Sequence, residues 1–161
     1  MDVYLAIASK RDQRDYADTP IPDDVLGRIL DAGRVSGSSR NSQRWEFVVV
    51  ESAKEQLAET VYEPGNVQGA ALVIAICGDA QGMDVGRCAQ NMMLCAWNDG
   101  VTSCPNGIRD PDAAAEVCGA EVKTVLTFGY PARPRDPQSR PAEEWSARAK
   151  RKSLDEVVRR I

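Results

Sequence analysis

The side chains that could carry chemistry are concentrated in a few short stretches. Near the start, Lys10, Arg11 and Arg14 put three cations within five positions. Near the end, Arg148, Lys150, Arg151, Lys152, Arg159 and Arg160 form a second basic cluster, although the chain as a whole is acidic, with net charge −4. Charge runs are ordinarily solvated faces. The sharper reading is that both ends converge on one anionic ligand. Between them, Gly37-Ser38-Ser39-Arg40-Asn41-Ser42-Gln43-Arg44 sets many hydrogen-bonding side chains directly before the apolar run Phe47-Val48-Val49-Val50. That is either a serine-rich turn before a strand or a set of polar groups that a ligand must pair.

Some chemistry is excluded by composition. There is no histidine, so Ser-His-Asp and Cys-His nucleophiles and HExxH zinc chemistry are ruled out. An enzyme with this sequence draws on carboxylates, lysine or tyrosine, or on a cofactor. The five cysteines, Cys77, Cys88, Cys95, Cys104 and Cys118, form no CxxC pair. They read as small apolar residues in a reducing compartment rather than as zinc ligands. The acidic balance disfavours nucleic acid. No apolar run is long enough to span a bilayer, and Met1-Asp2-Val3-Tyr4 has no secretory character, so the expected location is the cytoplasm.

The 161 residues suit one domain with a sizeable core. The pattern predicts a short helix over Val3–Ser9 and another over about residues 23–35, where Val25, Ile29, Leu30 and Gly33 recur at helical spacing. Trp45–Glu51 reads as a strand. Ser52 and Glu55 predict a capping box for a helix reaching about Tyr62. Glu63-Pro64-Gly65-Asn66 reads as a turn, and Ala71–Cys77 as a strand buried on both faces. Asp84 is the expected cap of a long helix to about Asp99, apolar on more than one face. A short strand over Val101–Cys104, a helix opened by Asp110-Pro111, a strand over Val122–Gly129, an extended Pro131–Pro141 and a short helix capped by Ser153 and Glu156 complete the chain. This alternation predicts a layered α/β or α+β domain. Neither a GxGxxG nor a Walker A sequence is present.

Five segments together resemble the FMN-dependent nitroreductase family. Ser9-Lys10-Arg11-Asp12-Gln13-Arg14-Asp15-Tyr16 resembles its RRSxRxF opening, and Ser36–Trp45 its APSSxNxQPW motif. The run from Asp84 through Gly86, Gln90, Asn91, Met92, Leu94 and Ala96 matches its central helix. Phe128-Gly129-Tyr130-Pro131 is similar to its lGyP strand end, and Arg151–Val158 to its RkpleeVV tail.

The resemblance implies a three-layer α+β sandwich, a mixed, mainly antiparallel sheet flanked by helices. It implies one domain over residues 1–161 in an intertwined homodimer, with a tail from about residue 132 to 161 reaching over the partner. It also implies FMN, reduced by NADH or NADPH and reoxidised in ping-pong fashion by a small acceptor such as a nitroaromatic or a quinone. The hydride chemistry belongs to flavin N5, so no protein catalytic residue is required. The implied cofactor-binding residues are Lys10, Arg11, Asp12, Arg14, Ser38, Ser39, Asn41, Ser103, Cys104, Lys150 and Lys152. Lys10 and Arg14, with Lys150 or Lys152, would meet the phosphate. Arg11 would sit near the pyrimidine end of the flavin, and Asn41 at the ring edge. For Cys104 an inert thiol is the favoured reading.

The chain departs from the family at Asp12, where serine is usual, at Gly37 and at Arg44, where proline is usual. Only about twenty residues separate the first two strands, so a differently covered site is expected. Three readings follow: an NAD(P)H-dependent FMN oxidoreductase, a non-catalytic flavin-binding protein, or a scaffold on the same fold.

Overall fold

The computed structural model describes residues 1–161. Residues 11–135 form one compact unit; residues 1–10 and 136–161 form another.

The larger unit is built on the most apolar segment. Strand β2 (Leu72–Cys77) is buried at all six positions. A strand buried on both faces must be central and covered by helices on each side. Accordingly β2 pairs antiparallel with β1 (Glu46–Val49) on one side and with β4 (Val122–Gly129) on the other. Strand β3 (Thr102–Asn106) pairs antiparallel with β4, giving the order β1-β2-β4-β3.

Side-chain alternation along β2 then feeds two cores. Leu72, Ile74 and Ile76 face one layer, packed with Val25 and Ile29 of helix α2 (Asp23–Arg34) and with Cys88, Met92 and Ala96 of helix α5 (Gly82–Asn98). Val73, Ala75 and Cys77 face the other. That layer holds Leu57 and Ala58 of α3 (Lys54–Ala58), Val67 of α4 (Pro64–Gln68) and Ala114 of α6 (Pro111–Cys118). Ile74 and Ile76 are fully buried, and each contributes roughly 1.5–3 kcal/mol to the stability of the sheet. The result is three layers, helix, sheet, helix, as the family resemblance implies.

Local chemistry explains most boundaries. Asp110 accepts from the amide of Ala113 and opens α6 behind Pro111; Gly119, in the left-handed region, closes it. Three expectations need correction. The Ser52–Glu55 capping box does not form: Ala53 precedes α3, which ends at Ala58 instead of near Tyr62. Pro64 starts the short helix α4 rather than a turn, because proline suits the first helical position. Asp84 lies inside the first turn of α5, with Gln81 at the cap, and its carboxylate reaches toward another loop.

In the smaller unit, Asp2 caps α1 (Val3–Ser9) through the amide of Leu5. Helix α7 (Ala142–Ala147), inside a stretch with no predicted element, is held by Trp145, whose indole N–H donates to Pro137 O at 2.9 Å, and by Arg140 stacked over its ring. Helix α8 (Leu154–Val157) has the predicted capping box of Ser153 and Glu156. Within the predicted extended segment, Pro137–Ser139 forms a single 3-10 turn. Val3, Tyr4, Ile7, Leu154, Val157 and Val158 of this unit are exposed. No helix of the chain is long and apolar enough to cross a membrane.

Candidate functional site

The segment from Arg11 to Tyr16 is pinned to the free edge of the sheet rather than folded into an element. The Gln13 amide donates to Ser103 O of β3 at 3.1 Å, and the Ala17 amide to Tyr130 O at 2.8 Å. The Tyr16 ring lies against Gly129: a Cβ there would fall 2.7 Å from the ring carbons, so only glycine permits the contact. The Tyr16 hydroxyl donates to Gln13 O at 2.7 Å and lies 3.0 Å from Thr127 Oγ1. Burial pushes its pKa up to about 12.

A buried polar network continues inward from Tyr16. Thr127 Oγ1 donates to Cys104 O at 3.1 Å. The Asn106 amide donates to Cys104 O at 3.1 Å and to Val125 O at 3.2 Å. Asn66 of α4 donates to Asn106 Oδ1 at 3.0 Å. Such groups are costly when unpaired and stiffen a structure when paired. They hold the Arg11–Tyr16 segment and the start of β3 in one relation.

Arg11, Asp12 and Arg14 therefore share an edge with Ser103 and Cys104. Arg11 is half-buried, while Asp12 and Arg14 are exposed. Cys104 is fully buried and its thiol lies 3.3 Å from Pro105 O, as suits an inert thiol. Ser103 is 1% exposed, and its hydroxyl has no hydrogen-bond partner. An unpaired buried hydroxyl costs roughly 1–3 kcal/mol.

Ser38, Ser39 and Asn41 lie elsewhere. Their loop leads into Glu46, which pairs with Cys77 at one end of β2, whereas Ser103 pairs with Phe128, opposite Leu72 at the other end. The five steps from Leu72 to Cys77 span roughly 17 Å. Within one chain, the two halves of the predicted set do not meet. Lys10, Lys150 and Lys152 belong to the smaller unit; Lys150 is left-handed at φ 52, and both tail lysines are exposed.

The Ser38–Arg44 loop is tightly wound. Arg40, Asn41 and Gln43 all have positive φ, of 53, 55 and 49, a conformation uncommon outside glycine. It is braced by the Gln43 amide donating to Ser38 Oγ at 3.0 Å and by the Ser39 amide reaching Asp84 Oδ2 at 3.4 Å. Both prolines that the family usually carries here are replaced by contacts. The guanidinium of Arg87 occupies the space a Cβ at Gly37 would need. Arg44 pairs with Asp79 at 2.8 Å. Gly78, at φ +99, lets the turn before Asp79 approach within 2.5 Å, from its Cβ position, of the Arg44 carbonyl. Ser39, Arg40, Ser42, Arg44, Gln81 and Asp84 line an open cavity of about 290 Å³.

The roles of Gln13, Thr127 and Asn66 are set by partners far along the chain and do not show in the sequence motifs. An available signal is polar Thr127 within the apolar run Val125–Phe128.

Comparison with known proteins agrees with this architecture. Residues 7–79 match the model of the nitroreductase family. A protein of Methanothermobacter thermautotrophicus, provisionally named NADH dehydrogenase/NAD(P)H nitroreductase, is 30% identical over 118 residues, covering 67% of this chain and 62% of that protein. The chain thus matches under two thirds of that relative's length. A solved nitroreductase family protein from Clostridium difficile superposes with a TM-score of 0.81 at 22% identity, over 99% of this chain and 98% of that one. A structure from Desulfovibrio desulfuricans, provisionally named a nitroreductase and solved in complex with FMN, gives 0.80 at 22% identity, over 98% and 96%. At such identities the solved structures speak for the fold. The sequence matches show that the chain belongs to the nitroreductase family, and the solved structures that it has the fold of such proteins.

Proposed function

We propose that this protein is an FMN-dependent oxidoreductase, taking hydride from NADH or NADPH and passing reducing equivalents to a small conjugated acceptor such as a nitroaromatic or a quinone. The observation that carries the reading is the unpartnered Ser103 hydroxyl, buried beside the Arg11–Arg14 segment. A polar cofactor at that edge would satisfy it. The residues present fit FMN: Arg14 and the lysines Lys10, Lys150 and Lys152 offer cations for a phosphate. Arg11 offers a positive charge to the reduced ring, and Asp12 an acceptor for a ring N–H. When bound, FMN would supply the two-electron chemistry that hydride transfer requires. The protein's own groups bind and orient, and the proton can come from water. Cys104, buried with its thiol on a backbone carbonyl, is assigned no chemical part.

The same reading makes the protein a homodimer. The loop of Ser38, Ser39 and Asn41 leads into the end of the sheet opposite Ser103, with strand β2, roughly 17 Å long, between the two ends, so a second copy would complete the site. The exposed apolar side chains of α1 and the tail are the kind of surface that a partner covers. The tail from about residue 132 would reach over that partner. The proposed setting is the cytoplasm, where the five free cysteines remain reduced.

The test is a visible spectrum of the protein incubated with FMN and desalted, followed by NADH or NADPH without oxygen. A retained flavin band that bleaches is the expected result. A retained band that does not bleach would leave a flavin-binding protein that is no reductase. A colourless protein would overturn the cofactor assignment.

A further inference from the structure

Two of the five cysteines pack into the core on one face of the sheet. Cys77 ends β2 on the face covered by α3 and α6, and it is fully buried. Cys118 ends α6 over that same face, and it is half-buried. The chain reverses through left-handed Gly119 and enters β4, where Val122 pairs with Cys77 across a register shift. The Gly78 amide, donating to Glu121 O at 2.9 Å, clamps the two segments together. Contact with Cys77 holds the Cys118 thiol below its ordinary value, and contact with Cys118, with burial, holds that of Cys77 above. The other three thiols lie against backbone carbonyls: Cys88 on Gly33, Cys95 on Arg28 and Cys104 on Pro105.

We propose that Cys77 and Cys118 form a peroxide-oxidisable dithiol that closes reversibly into an intramolecular disulfide. The division of labour follows from access. The nucleophile must be a thiolate that the oxidant can reach, and half-buried Cys118 is more open than fully buried Cys77. Its sulfur attacks one oxygen of hydrogen peroxide; the O–O bond breaks, water leaves, and Cys118 becomes a sulfenic acid. The Cys77 sulfur then attacks the Cys118 sulfur, the S–O bond breaks, and a second water carries off the Cys77 proton. In sum, two thiols and one peroxide give one disulfide and two waters. A small dithiol reverses the step by exchange. The site lies one residue from the Gly78-Asp79 turn that braces Arg44, and it does not depend on the flavin assignment.

The test uses the native protein, graded hydrogen peroxide, a catalase quench, alkylation of the remaining thiols and non-reducing tryptic mapping. Cleavage separates Cys77, in residues 55–87, from Cys118, in residues 110–123, and leaves Cys88, Cys95 and Cys104 together in residues 88–109. The expected product joins 55–87 to 110–123, disappears with dithiothreitol, and accumulates at peroxide concentrations at least tenfold below those that modify 88–109. In Cys118→Ser, Cys77 should stay reduced at those concentrations. In Cys77→Ser, Cys118 should become trappable by dimedone. Oxidation of 88–109 at equal or lower peroxide, or no cross-linked peptide while Cys118 oxidises, would overturn the proposal.

Discussion

Replacing Tyr16 with phenylalanine should flatten the alkaline stability of the protein. Burial holds the Tyr16 phenol up to about 12, against an ordinary 10.0. Below pH 10 the group is neutral whether the chain is folded or not, and it adds no pH dependence. Between pH 10 and 12 the unfolded chain releases a proton that the folded chain keeps, so stability is lost as pH rises. By linkage this loss is about 0.4 kcal/mol at pH 10 and about 1.4 kcal/mol at pH 11, levelling near 2.7 kcal/mol. At pH 8 the hydroxyl instead stabilises the fold, by about 1 kcal/mol, through its bond to Gln13 O. Urea unfolding of both proteins from pH 8 to pH 11, followed by far-ultraviolet circular dichroism, reads the difference. Thiols that titrate in the same range are common to both proteins and cancel. The advantage of the wild type should shrink by about 1.4 kcal/mol between pH 8 and pH 11. A constant difference across that range would refute the buried, hydrogen-bonded state of Tyr16 and its anchoring of the Arg11–Tyr16 segment.

Ser103→Ala removes an unpartnered buried hydroxyl, so the apoprotein should be as stable as the wild type or more stable by about 1 kcal/mol, while FMN retention weakens; urea unfolding and spectral titration check the two effects separately. Gly78→Ala places a methyl group 2.5 Å from the Arg44 carbonyl at a positive φ, and it should cost more than about 2 kcal/mol in urea unfolding. Arg14→Glu should weaken FMN binding by about 1.5–3 kcal/mol, read by equilibrium titration, if Arg14 makes a charge-assisted bond to the phosphate; unchanged affinity would remove it from the site.

Elements whose cause is local are legible in the residues themselves. The uninterrupted apolar run at residues 71–77 could be little other than a central strand, because a strand of that composition has no solvent face to offer. Asp110-Pro111 with Gly119, and Ser153 with Glu156, carried their own start and stop signals, since caps are satisfied within a turn or two. The polar loop before β1 was legible as a special segment because so many hydrogen-bonding side chains there had no element of their own. The same local logic failed at Ser52–Glu55 and at Pro64, where packing of Leu57 and Val67 under the sheet outweighed the nominal cap and turn. Tertiary structure alone decided which candidates meet. Gln13, Tyr16 and Ser103 are neighbours only because the strand order sets β3 beside β4 and lays the opening segment along them. Ser38, Ser39 and Asn41 went to the opposite end of the sheet for the same reason. Cys77 and Cys118, forty-one positions apart, met only when α6 returned to its strand. Such contacts arise from antiparallel register and layer packing, which join residues by position in the sheet and not by distance along the chain.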